Sequence, residues 1–228
     1  MNKTINSANF SIHHALIFFI LLATSGGSEL VAVEKTEIVV SVIDLGRDSQ
    51  INGKVVPVTE VFRYGCDHCP SFHEKIQQWS QVTDEKITFK AIPILKKLSD
   101  DVYDPLDELA MRAHYVADQL GMLERVRPVI HRAVKDRAYD LLNTERLVEF
   151  FARMGGNEAE IDRAQNAFAI LAKVSQSRSY SDLVMNKIKG VPMVIVGDKY
   201  AVGPGQVNGF HELIVVIEYL VDRVRSEH

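Results

Sequence analysis

Two cysteines separated by two residues constrain the fold of this chain more than any other feature. Cys66 and Cys69 are the only cysteines among the 228 residues. The segment before them, Val55–Tyr64, is rich in β-branched and aromatic residues, as a buried strand is. Gly65 ends that strand, and Ser71–Val82 has the apolar spacing of an amphipathic helix. The cysteine pair is therefore predicted to stand at the N-terminus of a helix that directly follows a buried strand.

The rest of the chain alternates between strand and helix patterns. Lys86–Leu95 predicts a second strand. Apolar residues then recur at helical spacing from about residue 101 to residue 182, with no strand pattern among them. Met193–Val196 and Tyr200–Val202 predict a hairpin around a Gly–Asp turn, and Phe210–Val224 has helical spacing. We therefore predict an α/β fold: β-α-β, an all-helical insertion, and then β-β-α around a mixed sheet.

This pattern divides the chain into two predicted domains. Residues 33–100 and 183–228 form the α/β domain, and residues 101–182 form the helical insertion. Inside the insertion, Asn157 and Glu160 resemble a capping box that opens a helix continuing through Leu171. Pro105 and Pro128 are both expected near helix starts, where a missing N–H costs least.

The N-terminus has the features of an export signal. Met1–His14 is polar, with Lys3 as its only Lys or Arg. Ala15–Ala23 is a run of nine apolar residues, which as a helix would span only ~14 Å of a bilayer core that is ~30 Å thick. We therefore predict a cleavable signal peptide over about residues 1–32, cut after Ser25 or Ala32, in preference to an uncleaved membrane anchor.

Export and the short cysteine spacing together favour redox chemistry. Exported proteins meet oxidising conditions, but a disulfide between near neighbours closes almost no loop and stabilises the fold little. A helix N-terminus and a cationic His68 would favour the thiolate of Cys66, the reactive sulfur, whereas Asp67 would oppose it. Cys69, one turn further in, would resolve a mixed disulfide on Cys66. A purely structural disulfide is the alternative.

Other uses of this motif fit the chain less well. A zinc site needs about four ligands, but the chain has no other Cys, and His68 and His73 would place all four ligands within eight residues at one helix end. A c-type haem needs a histidine directly after the second cysteine, where Pro70 stands. We therefore predict no metal and no cofactor besides the Cys66–Cys69 disulfide. The net charge of -4, without a basic cluster, argues against nucleic acid as a partner.

Two more positions complete the predicted site. Glu60 lies six residues before Cys66 in the first strand, where a buried carboxylate could exchange a proton with Cys69, directly or through water. The alternative is a glutamate on the outer face of the strand. Pro192 stands at the entry to a strand, and a cis bond there would leave the backbone of Val191 free to pair with an extended substrate. A trans turn proline is the alternative.

Ordinary structural roles are expected for the other histidines and for the tryptophan. His73 and Glu74 are predicted to be solvated residues of the first helical turn. Trp79 is predicted to pack in the core, and His114 and His131 are predicted to lie at the surface.

Taken together, these residues resemble the DsbA family of periplasmic thiol–disulfide oxidoreductases. The resemblance runs from about Lys54 to the C-terminus and includes E-V-F-R-Y-G-C-D-H-C-P at Glu60–Pro70, the helical insertion, and G-V-P at Gly190–Pro192. It implies a thioredoxin fold interrupted by a helical domain, a nucleophile at Cys66, and a cis proline at Pro192 facing the disulfide. It further implies oxidation of reduced or unfolded exported proteins, reoxidation by a DsbB-like quinone-linked membrane protein, and a periplasmic location.

Asp67 stands where the best-known members of the family have an uncharged residue, and it predicts a weaker oxidant than the most oxidising members.

Three functions compete. The first is a disulfide donor acting as a monomer. The second is a reductase or isomerase on the same fold, although only about thirty residues separate a cleaved leader from the first strand, which leaves no room for a dimerisation domain. The third is a redox-inert chaperone that binds peptides beside Pro192, and the intact cysteine pair argues against it.

Overall fold

The computed structural model describes residues 7–13, 37–83, 85–99, 102–188 and 190–228. The apolar run Ala15–Ala23 and both predicted cleavage positions lie outside these residues. Ser7–His13 belongs to the predicted leader, yet it forms an antiparallel edge strand beside Glu37–Asp44. Cleavage at the predicted positions would therefore leave Glu37–Asp44 as the edge of the sheet.

A mixed sheet forms the centre of the α/β part. Its strands lie in the order β1-β2-β8-β7-β3-β4. In chain order the strands of the described residues are β1 (Ser7–His13), β2 (Glu37–Asp44), β3 (Val56–Phe62), β4 (Ile87–Pro93), β5 (Lys97–Ser99), β6 (Val102–Tyr103), β7 (Met193–Val196) and β8 (Tyr200–Val202). β3 pairs in parallel with β4 and antiparallel with β7, and β5 and β6 form a separate two-stranded sheet. The two predicted strands and the predicted hairpin are confirmed. The sequence pattern did not predict β1, β2, β5 and β6, and the expectation of no strand from about residue 101 to residue 182 is wrong at β6.

The described part of the chain contains eight α-helices. They are α1 (Cys69–Val82), α2 (Pro105–Gln119), α3 (Leu123–Lys135), α4 (Tyr139–Leu142), α5 (Leu147–Arg153), α6 (Glu158–Gln165), α7 (Phe168–Met185) and α8 (Phe210–Ser226). None of them is long and apolar enough to cross a membrane.

β3 positions the site because both of its faces are covered. Side chains alternate between the faces of a strand. Val58 packs with apolar residues of α1 and α8 on one face, and Val61 packs with residues of α7 on the other. Glu60 lies between Val58 and Phe62 in this alternation, so its side chain is directed to the α1 face.

The helical part packs on the end of the sheet that carries the cysteines. α2 to α7 share one apolar cluster with Phe62, Tyr64 and Cys69 from the α/β part. The Asn157 cap is confirmed, since its side chain accepts a hydrogen bond from the Glu160 N–H at 3.1 Å. The helix that it opens does not continue through Leu171, as was predicted. It ends at Gln165, and α7 is a separate helix that begins at Phe168.

The two prolines of this part differ in their positions. Pro105 is the first residue of α2, as predicted, and Asp104 caps that helix by accepting from the Leu106 N–H at 3.0 Å. The prediction for Pro128 is wrong, because it is the sixth residue of α3 and lies inside the helix. Burial of Val126 and Ile130 on either side of it supports the helix where the proline lacks an N–H.

Candidate active site

Cys66 and Cys69 form a disulfide at the N-terminal end of α1. Their Cα atoms are 5.5 Å apart. α1 begins at Cys69, and His68 is its N-cap, so Cys66 stands two residues before the cap rather than in the first turn. Cys66 is partly exposed, whereas Cys69 is completely buried. A thiolate from another molecule therefore reaches Cys66 and not Cys69, which agrees with the predicted roles of the two sulfurs.

The Val191–Pro192 peptide bond is cis, as the family resemblance implied. The carbonyl oxygen of Val191 lies 3.7 Å from Cys66 Sγ, so this loop directly contacts the reactive sulfur. Pro192 is buried at the start of β7, and Val191 remains partly exposed. The backbone of Val191 is therefore placed where an extended chain joined to Cys66 would pass.

The two residues between the cysteines are exposed. Asp67 pairs with Lys135 of α3 at 3.2 Å, and both side chains are about three-quarters exposed, at 74% and 72%. His68 caps α1 with its backbone only, since its side chain makes no capping hydrogen bond. Solvent and Lys135 both screen the charge of Asp67, so its effect on Cys66 is weaker than its place in the sequence suggests.

Glu60 on β3 and His73 on α1 form a buried pair. Glu60 is completely buried, and its Oε2 lies 2.5 Å from His73 Nδ1. The alternative of an outward-facing Glu60 is therefore excluded. His73 lies one turn after Cys69 on the same face of α1 and is 6% exposed, so the prediction of a solvated His73 is wrong. Its Nε2 lies 3.8 Å from Oε2 of Glu124 on α3, which links the pair to the helical part.

A second polar cluster holds the backbone just before Cys66. The Tyr64 hydroxyl and His114 Nδ1 are 2.9 Å apart, and His131 Nδ1 is 2.9 Å from the Tyr64 carbonyl oxygen. Burial raises the pKa of Tyr64 and lowers the pKa of His114 well below its usual value. Burial also lowers the pKa of His131 to about 4, although its hydrogen bond to Tyr64 acts in the opposite direction. A neutral His131 donates from Nδ1 to that carbonyl.

The predictions of surface positions for His114 and His131 are therefore wrong. Helical spacing carried the signal that would have found them, because His131 lies four residues after buried Arg127 and three residues before buried Val134. The same spacing places His73 on the buried face of α1 with Phe72 and Ile76. Because these histidines are polar, they were expected to be exposed, whereas their spacing along the helices places them on buried faces. Trp79 packs in the core, as predicted.

Two cavities flank this site. One of about 460 Å³ lies beside Cys66, between the β3–α1 loop and the C-terminal end of α3. The other, of about 620 Å³, opens beneath α1 and includes His73, Glu124 and Arg127 in its lining. Among the described residues, no group of three or more His, Cys, Asp or Glu side chains could hold a metal ion.

Comparisons with known proteins agree with this geometry. The model of a DSBA-like thioredoxin domain family matches residues 57–215. The thiol:disulfide interchange protein DsbA of Burkholderia cepacia is 31% identical over 172 residues, which are 75% of this chain and 77% of that protein. Its counterpart in Azotobacter vinelandii is 25% identical over 171 residues, which are 75% of this chain and 76% of that protein.

Solved structures show the same architecture. The crystal structure of Pseudomonas aeruginosa DsbA matches with a TM-score of 0.67 at 21% identity, over 82% of this chain and 93% of that one. The oxidoreductase NmDsbA3 from Neisseria meningitidis matches with a TM-score of 0.67 at 22% identity, over 82% and 96% of the two chains. The predicted fold, a thioredoxin fold interrupted by a helical insertion, is confirmed.

Proposed function

The chain belongs to the DSBA-like thioredoxin domain family, and from this premise we propose that it donates the Cys66–Cys69 disulfide to exported proteins. The observation that carries the proposal is the asymmetry of the pair. Cys66 is partly exposed and contacts the cis-proline loop, whereas Cys69 is completely buried in the core. An accessible sulfur with a buried partner suits one-sided attack by a substrate thiolate.

The reaction is a pair of thiol–disulfide exchanges. A substrate thiolate attacks Cys66 Sγ, the Cys66–Cys69 bond breaks, and Cys69 leaves as a thiolate. The backbone of Val191 aligns the extended substrate during this mixed disulfide. A second substrate thiolate then attacks the substrate sulfur and releases Cys66 as a thiolate. The substrate loses two electrons and gains a disulfide, and the enzyme is left with two reduced cysteines.

In this proposal Glu60 exchanges a proton with Cys69, and His73 holds the Glu60 carboxyl group in place. A thiolate released in a completely buried position is costly unless it is protonated. Glu60 is the buried carboxyl on the α1 face, its Oε1 has no hydrogen-bond partner among the described residues, and His73 holds its Oε2. Glu60 therefore gives a proton to Cys69 during reduction and receives it again during reoxidation, directly or through a water molecule.

His68 and Asp67 set the redox balance in opposite directions. His68 favours the Cys66 thiolate through its positive form, and exposed Asp67 disfavours it. Net oxidation of substrates needs the reduced enzyme to be the more stable form. Asp67 pairs with Lys135 at 3.2 Å, which limits how far Asp67 disfavours the Cys66 thiolate and so supports the donor role.

Partners and location follow from the same proposal. The substrates are reduced or unfolded exported proteins in the periplasm, reached after cleavage of the predicted leader. Reoxidation is assigned to a DsbB-like quinone-linked oxidase in the membrane, and the enzyme acts as a monomer. A reductase or isomerase role and a redox-inert chaperone are the competing functions.

Equilibration of the exported protein with glutathione buffers, followed by thiol alkylation, tests the proposal. A disulfide donor should show a potential well above the thioredoxin value of about -270 mV. A value near or below that level would refute disulfide donation and favour a reductase. Retention of cellular function by Cys66→Ser would instead favour the redox-inert chaperone.

A further inference from the structure

The cavity beside Cys66 has a strongly basic lining. Cys66, Gly65 and Pro70 form one side of it, so a substrate joined to Cys66 lies against the cavity. Among the described residues, its lining includes five basic side chains, which are Arg63, Lys96, Arg132, Lys135 and Arg137. These come from three separate parts of the chain: the end of β3, the loop after β4, and the end of α3 with the residues after it.

Three carboxylates also line the cavity, and each already has a partner. Asp67 pairs with Lys135 at 3.2 Å. Asp107 accepts a hydrogen bond from the backbone N–H of Lys96 at 2.9 Å and lies 3.5 Å from Arg63 Nε. The third, Asp104, caps α2 through the Leu106 N–H.

Three of the five basic side chains have no carboxylate partner among the described residues. Within the described chain, no carboxylate lies within 4 Å of the side-chain nitrogens of Lys96, Arg132 or Arg137, and Arg137 donates only to the Tyr139 hydroxyl at 2.7 Å. All three side chains are exposed. His131, which also lines the cavity, is neutral at pH 7 because burial lowers its pKa to about 4. The cavity therefore holds two positive charges in excess of its three carboxylates.

Helix stability alone does not account for this arrangement. Basic residues in the last turn of α3 favour the helix dipole, which explains Arg132 and Lys135 where they stand. Lys96 reaches the same cavity from the loop after β4 and has no such function there. Convergence of unpaired cations from separate segments on a cavity next to a reactive sulfur points to an anionic group of the substrate.

From this geometry we infer that the cavity selects protein thiols flanked by acidic side chains, with Lys96, Arg132 and Arg137 as the specificity-determining residues. The inference rests on the proposed function and narrows its substrate class. In the mixed disulfide, the residues next to the substrate cysteine extend along the surface beside Cys66, within reach of the cavity. A glutamate or aspartate there pairs with the unpartnered cations, whereas a lysine or arginine is repelled.

Matched dithiol peptides test this preference. Three peptides share one neutral sequence with two cysteines and carry Glu, Gln or Lys on both sides of each cysteine. Neighbouring charge also changes the reactivity of a thiol itself, so each rate of oxidation by the enzyme is divided by the rate with an uncharged disulfide, hydroxyethyl disulfide. We expect the normalised Glu peptide to react about tenfold faster than the Lys peptide at low ionic strength, and this ratio to fall toward one in ~1 M salt.

Variants assign the preference to the cavity. Arg132→Glu and Lys96→Glu are each expected to lower the Glu-to-Lys ratio about threefold or more. The control, Lys86→Glu, makes the same charge change on an exposed residue just before β4, at the end of that strand away from the cysteines, and should leave the ratio unchanged. Unchanged thermal unfolding checks the fold of each variant, and Arg137→Gln provides a milder substitution in the same cavity.

The outcomes separate this inference from the function on which it rests. A salt-sensitive preference for the Glu peptide that the cavity variants reduce supports the inference. Equal normalised rates for all three peptides overturn it and leave disulfide donation standing. A preference that survives the cavity variants also overturns it, because the charge is then recognised elsewhere. Failure to oxidise any of the peptides refutes the proposed function and this inference with it.

Discussion

His131→Asn is expected to weaken the dependence of stability on acid pH. Burial lowers the pKa of His131 to about 4, against 6.5 for an ordinary histidine. Between these two values the unfolded chain binds a proton that the folded chain does not, so the free energy of unfolding falls as the pH falls from 6.5 to about 4. Asparagine keeps a donor near the position of Nδ1 for the Tyr64 carbonyl, and it does not titrate.

The size of this effect follows from the difference between the two pKa values. A tenfold difference in proton affinity corresponds to about 1.4 kcal/mol, so His131 accounts for a loss of about 3 kcal/mol across this pH range. Relative to the wild type, His131→Asn should therefore gain about 3 kcal/mol between pH 7 and pH 4. Asp107 acts in the opposite direction, because burial raises its pKa to about 6, but it is present in both proteins and cancels in the comparison.

Denaturant titrations at pH 7, 6, 5 and 4 provide the measurement. Trp79 is the only tryptophan and is buried, so its fluorescence reports global unfolding. Both proteins are kept oxidised, so that the state of the disulfide does not differ between them. His211→Asn, which makes the same substitution at an exposed histidine on α8, controls for the change of side chain. Stability curves of wild type and His131→Asn that run parallel from pH 7 to pH 4 would refute the reasoning.

Three further outcomes are expected. Cys69→Ser should accumulate mixed disulfides on Cys66, detected by mass spectrometry, because the buried resolving sulfur is lost; an absence of adducts in the presence of reduced substrate would contradict its role. Asp67→Asn should stabilise the reduced form less than tenfold in a glutathione titration, since both partners of its ion pair are exposed, and a larger change would refute this screening. Gly203→Ala should destabilise the fold by about 1–3 kcal/mol in thermal unfolding, because its Cβ would collide with the sulfur of Met193 and lie 3.0 Å from the Pro192 carbonyl; Gly205→Ala, with nothing within 4 Å, is the control.

Local patterns determined the order of elements and the chemistry of the cysteine pair. Strand and helix signals are short-range, since they depend on side-chain period and on breaking residues such as Gly65. They therefore predicted β3, β4, the β7–β8 hairpin and α8 to within a few residues. The spacing of Cys66 and Cys69, together with the predicted export, favoured a redox role. β2 was not predicted, although its Val- and Ile-rich sequence carries the same short-range signal. Only its pairing with β8, which lies more than 150 residues later, required the tertiary structure.

Tertiary structure decided which side chains are buried together. His73, His114 and His131 are polar residues on separate helices, and they are buried only because α2, α3 and the β3–α1 segment meet around Phe62 and Tyr64. Packing likewise selected the buried alternative for Glu60 by setting His73 against it. The basic cavity beside Cys66 has the same origin, because its cations come from three distant segments. The sequence by itself determined the reacting sulfurs, whereas only long-range packing determined the groups that surround them.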